Sequence, residues 1–176
     1  MENTLKLLFK HGYLAIGLNK METKMIYRLL LFLILNFAAL GLGGFFTGPG
    51  VSSEWYQGME KAPWTPPGWV FGFAWTLIMI CFSIYMAYLW PVAENKSVLI
   101  GLYLIQWLLN VGWNPTFFYF QNITAAFFII TGLTFLIGYL TYHYWPDLKL
   151  KSLILLPYFI WLLIATSLNG YALMNN

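Results

Sequence analysis

The chain has 176 residues, of which 60% are hydrophobic, 20% aromatic and only 9% charged, and its formal net charge is +3. Because soluble domains carry about 25% charged residues, this chain cannot cover a water-facing surface, and we expect a membrane protein of one domain. Its nine Lys and Arg residues are scattered, which argues against a nucleic-acid partner, and the lone Cys81 excludes an internal disulfide or a thiolate metal site.

Four stretches without Asp, Glu, Lys or Arg predict the membrane spans: 29–53, 62–93, 97–146 and 152–176. A spanning helix needs roughly 20 apolar residues, so three stretches fit one helix each and 97–146 fits two. The sequence therefore predicts an all-α membrane protein, an up-and-down bundle of five transmembrane helices over residues 25–176. Residues 1–24 lack the cleavage pattern of a signal peptide and are interpreted as a weakly basic, dispensable tail, since Met21 and Met25 are alternative start sites.

Helix-breaking residues set the predicted boundaries. Helix 1 is predicted from about Ile26 to Phe46, where the cluster Gly48-Pro49-Gly50 should end it. After a long loop, Thr65 is the predicted N-cap of helix 2 and Pro66 its first residue. The remaining predicted bounds are Trp90 for the end of helix 2, Ser97 to Phe120 for helix 3, Trp145 for the end of helix 4 after a Gln121-Asn122 turn, and Ser152 to Leu173 for helix 5. The small-residue pairs Gly44/Gly48 and Gly68/Gly72 would permit close helix contact.

The distribution of Lys and Arg predicts the orientation in the membrane. In this topology one side holds Lys6, Lys10, Lys20, Lys24, Arg28, Lys96, Lys149 and Lys151, and the other holds only Lys61. Cytoplasmic loops carry the excess of Lys and Arg, so the N-terminus is expected inside and the long loop outside.

The loop from Trp55 to Trp69 is crowded with aromatic residues and prolines. Flexible linkers are rich in Gly and Ser, whereas stiff, bulky residues need a surface to pack on. We therefore expect this loop to form the lid of a binding site, with four lid residues: Trp55, Lys61, Trp64 and Pro67.

Ionisable groups suited to chemistry are missing from the predicted spans. His11 lies in the tail and His143 near a helix end, and no pair of His or carboxylate residues has the spacing of metal ligands. No metal, no required cofactor and no conventional acid–base catalyst is expected, and ion-coupled transport is disfavoured for the same reason.

Aromatic and amide side chains instead recur at helical spacing. On helix 3 they share one face, in the order Tyr103, Trp107, Asn110, Asn114 and Phe117. Helix 5 has a similar stripe of Tyr158, Trp161, Ala165, Leu168 and Asn169, and helix 2 has Phe71 and Trp75 one turn apart. One interpretation is a packed interior with amides bonding between helices. The other is a cavity of flat rings with a few polar anchors, which suits a planar, largely apolar ligand.

Three groups of residues resemble motifs of the TspO/MBR family, which comprises tryptophan-rich sensory proteins and the translocator protein once called the peripheral benzodiazepine receptor. The first is the loop: Trp55-Tyr56, Lys61, Pro63-Trp64 and Pro66-Pro67. The second is on helix 3: Gly101-Leu102-Tyr103, Gln106, Leu109-Asn110, Trp113, Pro115 and Phe117-Phe118. The third is on helix 5: Pro157-Tyr158, Trp161, Ala165-Thr166 and Leu168-Asn169. The resemblance covers about residues 26 to 171.

The resemblance implies a five-helix bundle, commonly a homodimer, with a pocket under the first loop that binds tetrapyrroles such as protoporphyrin IX and haem, and isoquinoline or benzodiazepine ligands. The family's pocket residues fall on Tyr56, Pro66, Trp75, Asn114, Phe117, Trp161 and Ala165, and the amide face adds Asn110. No Lys or Arg follows Lys151, so the cholesterol-recognition pattern of animal members is incomplete and cholesterol is a doubtful partner.

Three hypotheses follow. The chain is a sensor or transporter that binds tetrapyrroles; or it is a membrane enzyme that promotes light- or oxidant-dependent porphyrin degradation through Trp75 and Trp161, a role that some family members are reported to have; or it is a membrane scaffold for other proteins. In each hypothesis a tetrapyrrole is a ligand and not a required cofactor.

Overall fold

Backbone groups inside a bilayer must be satisfied within the chain, and helices are one of the few structures that do this. The structure, a computed structural model, describes the backbone of residues 2–176 and the side chains of residues 22–176. In that part of the chain there is no strand, and the five long helices are α1 (Glu2–Val51), α3 (Gly68–Val92), α4 (Lys96–Asn114), α5 (Ile123–His143) and α7 (Leu156–Asn175). The two short α-helices are α2 (Glu54–Gly58) and α6 (Trp145–Leu148). The predicted all-α membrane fold is confirmed.

Four helical stretches in the described residues are long and apolar enough to cross a membrane by length and composition: Glu22–Val51, Gly68–Val92, Ile123–His143 and Trp145–Asn175. The sequence predicted five spans, and the fifth long helix, α4, is not among them. Helix α4 begins at Lys96 and carries the amides of Gln106, Asn110 and Asn114, which lower its hydropathy. These three amides face other helices rather than lipid, so α4 lies within the bundle despite its polar residues.

The predicted ends of helix 1 are wrong at both sides. Helix α1 begins at Glu2 rather than near Ile26, and it runs through Gly48-Pro49-Gly50 to Val51. Pro49 lies in the last turn, where its ring removes only one intrahelical hydrogen bond. In the predicted tail, the side chains of residues 1–21, including those of Lys6, Lys10, His11 and Lys20, lie outside the described residues.

The start of α3 also differs from the prediction. Thr65 does not cap it, because its hydroxyl donates to the carbonyl of Ala62 at 2.7 Å and closes a turn of the loop. Helix α3 begins at Gly68, with Pro67 at the N-cap position and no side-chain cap. The backbone of Pro67 therefore sets this boundary, and no side-chain hydroxyl caps the helix.

Prolines shape the ends of the other helices. At Pro115 the α-helix α4 gives way to a π-helical turn, Pro115–Tyr119, and the predicted Gln121-Asn122 turn follows, with Gln121 at φ 52°. The side chain of Asn122 then caps α5 by accepting from the amide of Ala125 at 2.9 Å. The predicted start of helix 5 at Ser152 lies inside a 3₁₀ helix, Lys149–Leu155, and α7 begins only at Leu156.

Core packing differs between the two ends of the bundle. Helix α1 packs mainly on α3 and α4, and α5 packs mainly on α7 and α4. Fully buried side chains concentrate in the half away from the long loop, among them Phe82, Tyr85, Leu133, Ile137 and Tyr158. A second, smaller cluster of Phe117, Phe118 and Ala126 lies under the loop.

Close helix contact does not occur at the glycine pairs that the sequence suggested. A Cβ atom added at Gly44, Gly48, Gly68 or Gly72 would meet nothing within 4 Å. The close approaches are instead at Gly43, where a Cβ would lie 2.5 Å from Nδ2 of Asn114, and at Gly50, where it would lie 2.5 Å from the Cβ of Phe118. Helix α1 thus approaches α4 and its π-helical turn through these two glycines.

Candidate functional site

A cavity of about 870 Å³ lies in the half of the bundle under the long loop. Ligand pockets in proteins commonly measure about 300–1,000 Å³. Residues of α1, α2, the loop, α3, α4, the π-helical turn, α5 and α7 form its wall. All eight residues predicted to bind ligand line this one cavity: Tyr56, Pro66, Trp75, Asn110, Asn114, Phe117, Trp161 and Ala165.

The two amides of α4 that line the cavity are held in place by hydrogen bonds to α1, to α7 and to the backbone of α4 itself. The Oδ1 atom of Asn114 accepts from the hydroxyl of Thr47 on α1 at 2.6 Å, and its Nδ2 atom donates to the carbonyl of Asn110 at 3.2 Å. One turn earlier, Nδ2 of Asn110 donates to the hydroxyl of Tyr158 on α7 at 2.8 Å. Both amides are therefore fixed polar points in the cavity wall.

Below the cavity the polar residues bond to each other. Gln106 donates to the hydroxyl of Tyr158 at 2.8 Å, and Tyr103 donates to Oδ1 of Asn36, whose Nδ2 donates to Ser83 at 2.8 Å. The stripe predicted on helix 3 therefore has two roles. Its first part packs between helices, as one interpretation held, and its last part lines a cavity, as the other held.

Seven aromatic residues contribute to the wall: Tyr56, Phe71, Trp75, Trp113, Phe117, Phe118 and Trp161. Phe117 is stacked on Trp113 with ring centroids 5.2 Å apart, and Phe71 of α3 meets Trp161 of α7 edge-on at 5.3 Å. Trp75 lies edge-on to Tyr158 at 6.3 Å. The indole nitrogen of Trp161 is buried and has no hydrogen-bond partner in the part of the chain that the structure describes. A buried donor of this kind favours a ligand that offers an acceptor.

The loop covers the cavity through α2 and the residues that follow it. Ser53 caps α2 by accepting from the amide of Tyr56 at 3.2 Å. The ring of Tyr56 then lies 5.5 Å from that of Phe118, and Nζ of Lys61 lies 4.4 Å from the centroid of the Tyr56 ring. Burial raises the pKa of the Tyr56 phenol. Lys61 faces the ring of this phenol in a cation–π contact. Among the described residues that line the cavity, Lys61 is the only charged one.

The four predicted lid residues occupy different places. Lys61 lines the cavity, whereas Trp55 packs behind the wall against Phe117 at 5.5 Å. Trp64 is 54% exposed and lies against α7, and Pro67 is an exposed residue at the start of α3. Only one of the four is therefore placed to touch a ligand directly.

Sequence reasoning missed the contribution of α1 to the cavity. Ala39, Gly43 and Thr47 recur every four residues and line it from one face of α1. The regular spacing of small residues is the pattern that could have revealed this face. Its hydrogen bond to Asn114 joins residues 67 positions apart, which spacing alone does not reveal.

These features define a class: an α-helical membrane protein whose bundle encloses a cavity lined in part by aromatic residues, under its long loop. The model of the TspO/MBR family matches residues 31–174, and the chain belongs to that family. It is therefore an integral, multi-pass membrane protein.

Named relatives span archaea, bacteria and eukaryotes. The chain is 37% identical to the tryptophan-rich protein TspO of Archaeoglobus fulgidus over 83% of this chain and 92% of the relative. It is 30% identical to the protein CrtK of Rhodobacter capsulatus, over 75% of this chain and 82% of that protein. It is also 30% identical to the human translocator protein, over 68% of this chain and 73% of that protein.

Proposed function

We propose that this protein is a membrane sensor or transporter that binds planar tetrapyrroles, such as protoporphyrin IX or haem, in the cavity between its helices. Membership of the TspO/MBR family and relatives named tryptophan-rich sensory protein and translocator protein support the sensor or transporter role. The observation that carries ligand binding is the cavity itself, whose wall brings together eight predicted residues, four of them aromatic, from α2, the loop, α3, α4, the π-helical turn and α7.

The chemistry of the wall favours tetrapyrroles over other apolar ligands. Flat rings from Trp75, Phe117 and Trp161 offer surfaces for stacking, which is worth about 0.5–1.5 kcal/mol per ring beyond the buried area. Lys61 supplies a single positive charge at the loop, suited to a carboxylate at the edge of a macrocycle. The amides of Asn110 and Asn114 add fixed polar contacts deeper in the cavity.

The test compares protoporphyrin IX with its dimethyl ester, which keeps the ring and loses the carboxylates. Wild-type protein should bind the acid more tightly, and Lys61→Met should lower affinity for the acid by about fivefold while changing affinity for the ester little. Lys151→Met is the matched control, because Nζ of Lys151 lies 4.3 Å from the ring of Tyr88, a similar contact far from the loop.

Failure to bind either compound would contradict the proposed ligand class. Equal losses for acid and ester in Lys61→Met would show that the lysine acts through the loop structure rather than its charge. Incubation of the bound samples in light and in darkness, followed by product analysis, separates binding from the alternative of porphyrin degradation.

A further inference from the structure

The loop between α2 and α3 presents some of its residues to the cavity and others to α7. Met59, Lys61 and Thr65 line the cavity, whereas Glu60 and Trp64 do not. Of these two outward residues, Trp64 is bonded to Ser167 within α7, and Glu60 is bonded to Tyr171 of α7 and to Asn176, which follows it. The covering segment is thus attached to the bundle by the residues that flank Lys61.

Glu60 is held at its backbone and at its side chain. Its amide donates to Oδ1 of Asn176 at 2.9 Å, and its carbonyl accepts from Nδ2 of the same side chain at 3.2 Å. Its carboxylate accepts from the hydroxyl of Tyr171 at 3.2 Å. Because one amide side chain satisfies both backbone groups of Glu60, it fixes the orientation of the peptide groups on either side, including the one that leads to Lys61.

Trp64 makes a second attachment to the same helix. Its indole nitrogen donates to the hydroxyl of Ser167 at 3.1 Å, and its ring meets that of Tyr171 edge-on at 5.5 Å. Tyr171 therefore contacts both outward residues of the loop. On the other side of the cavity, Trp55 and Tyr56 of α2 pack on Phe117.

We propose that Tyr171 and Asn176 are positioning residues that latch the loop shut through Glu60 and thereby set the place of Lys61 over the cavity. The hydrogen bonds of the latch are exposed to solvent. Exposed bonds of this strength shift an opening equilibrium by roughly two- to tenfold each, so the latch can open without unfolding the bundle. Opening it is the step that precedes ligand release, and this part of the inference rests on the proposed function.

The experiment uses the full chain with three single substitutions. Asn176→Ala removes both backbone bonds to Glu60, and Tyr171→Phe removes the bond to its carboxylate while keeping the ring against Trp64. Asn175→Ala is the matched control, because the side chain of Asn175 bonds to the carbonyl of Tyr171 within its own helix. Backbone hydrogen exchange over residues 59–61 is measured without ligand, and protoporphyrin IX association and release are followed by tryptophan fluorescence.

We expect roughly two- to tenfold faster exchange over residues 59–61 in Asn176→Ala, a smaller increase in Tyr171→Phe and none in Asn175→Ala. Release of protoporphyrin IX should accelerate by a similar factor, with a smaller change in association. Unchanged exchange in both latch variants would overturn the latch whether or not the protein binds a ligand. Faster exchange with unchanged release would overturn its positioning role. If exchange is faster but wild-type protein does not bind protoporphyrin IX, the latch stands and the proposed function fails.

Discussion

At Ala165 a single methyl group forms the part of the cavity wall that α7 contributes between Trp161 and Leu168. A phenylalanine there would extend into the cavity rather than into packed core. We predict that Ala165→Phe lowers the affinity for protoporphyrin IX by at least about tenfold and leaves the melting temperature nearly unchanged. Binding and thermal unfolding measured on the same preparation check this.

If position 165 were packed core instead, Ala165→Phe would lower the stability of the protein, since forcing extra methylene groups into a filled core costs about 1–3 kcal/mol. The affinity and melting temperature of Ala172→Phe can be compared with those of Ala165→Phe. Ala172 lies on the same face of α7 and also lines the cavity, but it lies nearer the latch. A destabilised Ala165→Phe protein that still binds protoporphyrin IX normally would rule out the cavity as the binding site.

Residue types and helical spacing predicted much of the cavity wall. Amides are costly against lipid, so Asn110 and Asn114 had to face the interior, and the rings one turn away had to follow. Thr47 escaped prediction because a threonine inside an apolar helix usually bonds to its own backbone. The hydroxyl of Thr47 does lie 3.0 Å from the carbonyl of Gly43 in its own helix. It lies closer, at 2.6 Å, to Oδ1 of Asn114 on a helix distant in sequence.

At the scale of the helix, the cluster Gly48-Pro49-Gly50 shows why a breaker pattern is ambiguous. The pattern predicted the end of α1, yet the helix continues and uses Gly50 for close contact with the π-helical turn. Composition cannot distinguish a glycine that ends a helix from one that lets another element approach. The contact partner, Phe118, is known only once the fold brings the two elements together.

Gly50→Ala should destabilise the protein by about 1–3 kcal/mol, because the added methyl group would lie 2.5 Å from the Cβ of Phe118, close to its backbone. Gly48→Ala, two residues away, should have little effect because nothing lies within 4 Å of its added Cβ. Thermal unfolding of both variants in the same detergent measures the difference. Similar melting temperatures for the two would mean that α1 does not approach the π-helical turn at Gly50.

The loop is the element whose aromatic composition was the clearest sequence feature. Its packing on the bundle followed from that composition, but the attachment of Trp64 to α7 rather than over the cavity did not.

We predict that Trp64→Ala removes the hydrogen bond to Ser167 and the ring contact with Tyr171, and that it speeds release of protoporphyrin IX more than it slows binding. Stopped-flow kinetics measure both rates, and an unchanged release rate would show that the loop does not retain the ligand.

At the scale of the whole molecule, four charge-free stretches predicted the five long helices, with 97–146 long enough for both α4 and α5, because placing a charge inside the bilayer is costly. The lower hydropathy of α4 is a property of its own residues, but the helices to which its amides bond became known only from the fold. Helix α6 and the 3₁₀ helix Lys149–Leu155 were also missed. Short helices at a membrane surface leave little periodic pattern to detect.

We predict the orientation of the bundle in the membrane from the charges at its two ends. Lys24, Arg28, Lys96, Lys149 and Lys151 belong to one end in the up-and-down topology, and Lys61 belongs to the other. The excess of Lys and Arg marks the cytoplasmic side, so the loop should face outward.

In a background without Cys81, Gly58→Cys should react with a membrane-impermeant thiol reagent on intact cells, and Glu94→Cys should react only after permeabilisation. Gly58 is exposed, with no atom within 4 Å of an added Cβ, so a cysteine there does not disturb α2. Labelling of position 58 only from the inside would reverse the orientation, whereas labelling of both positions from the same side would contradict the alternating topology itself.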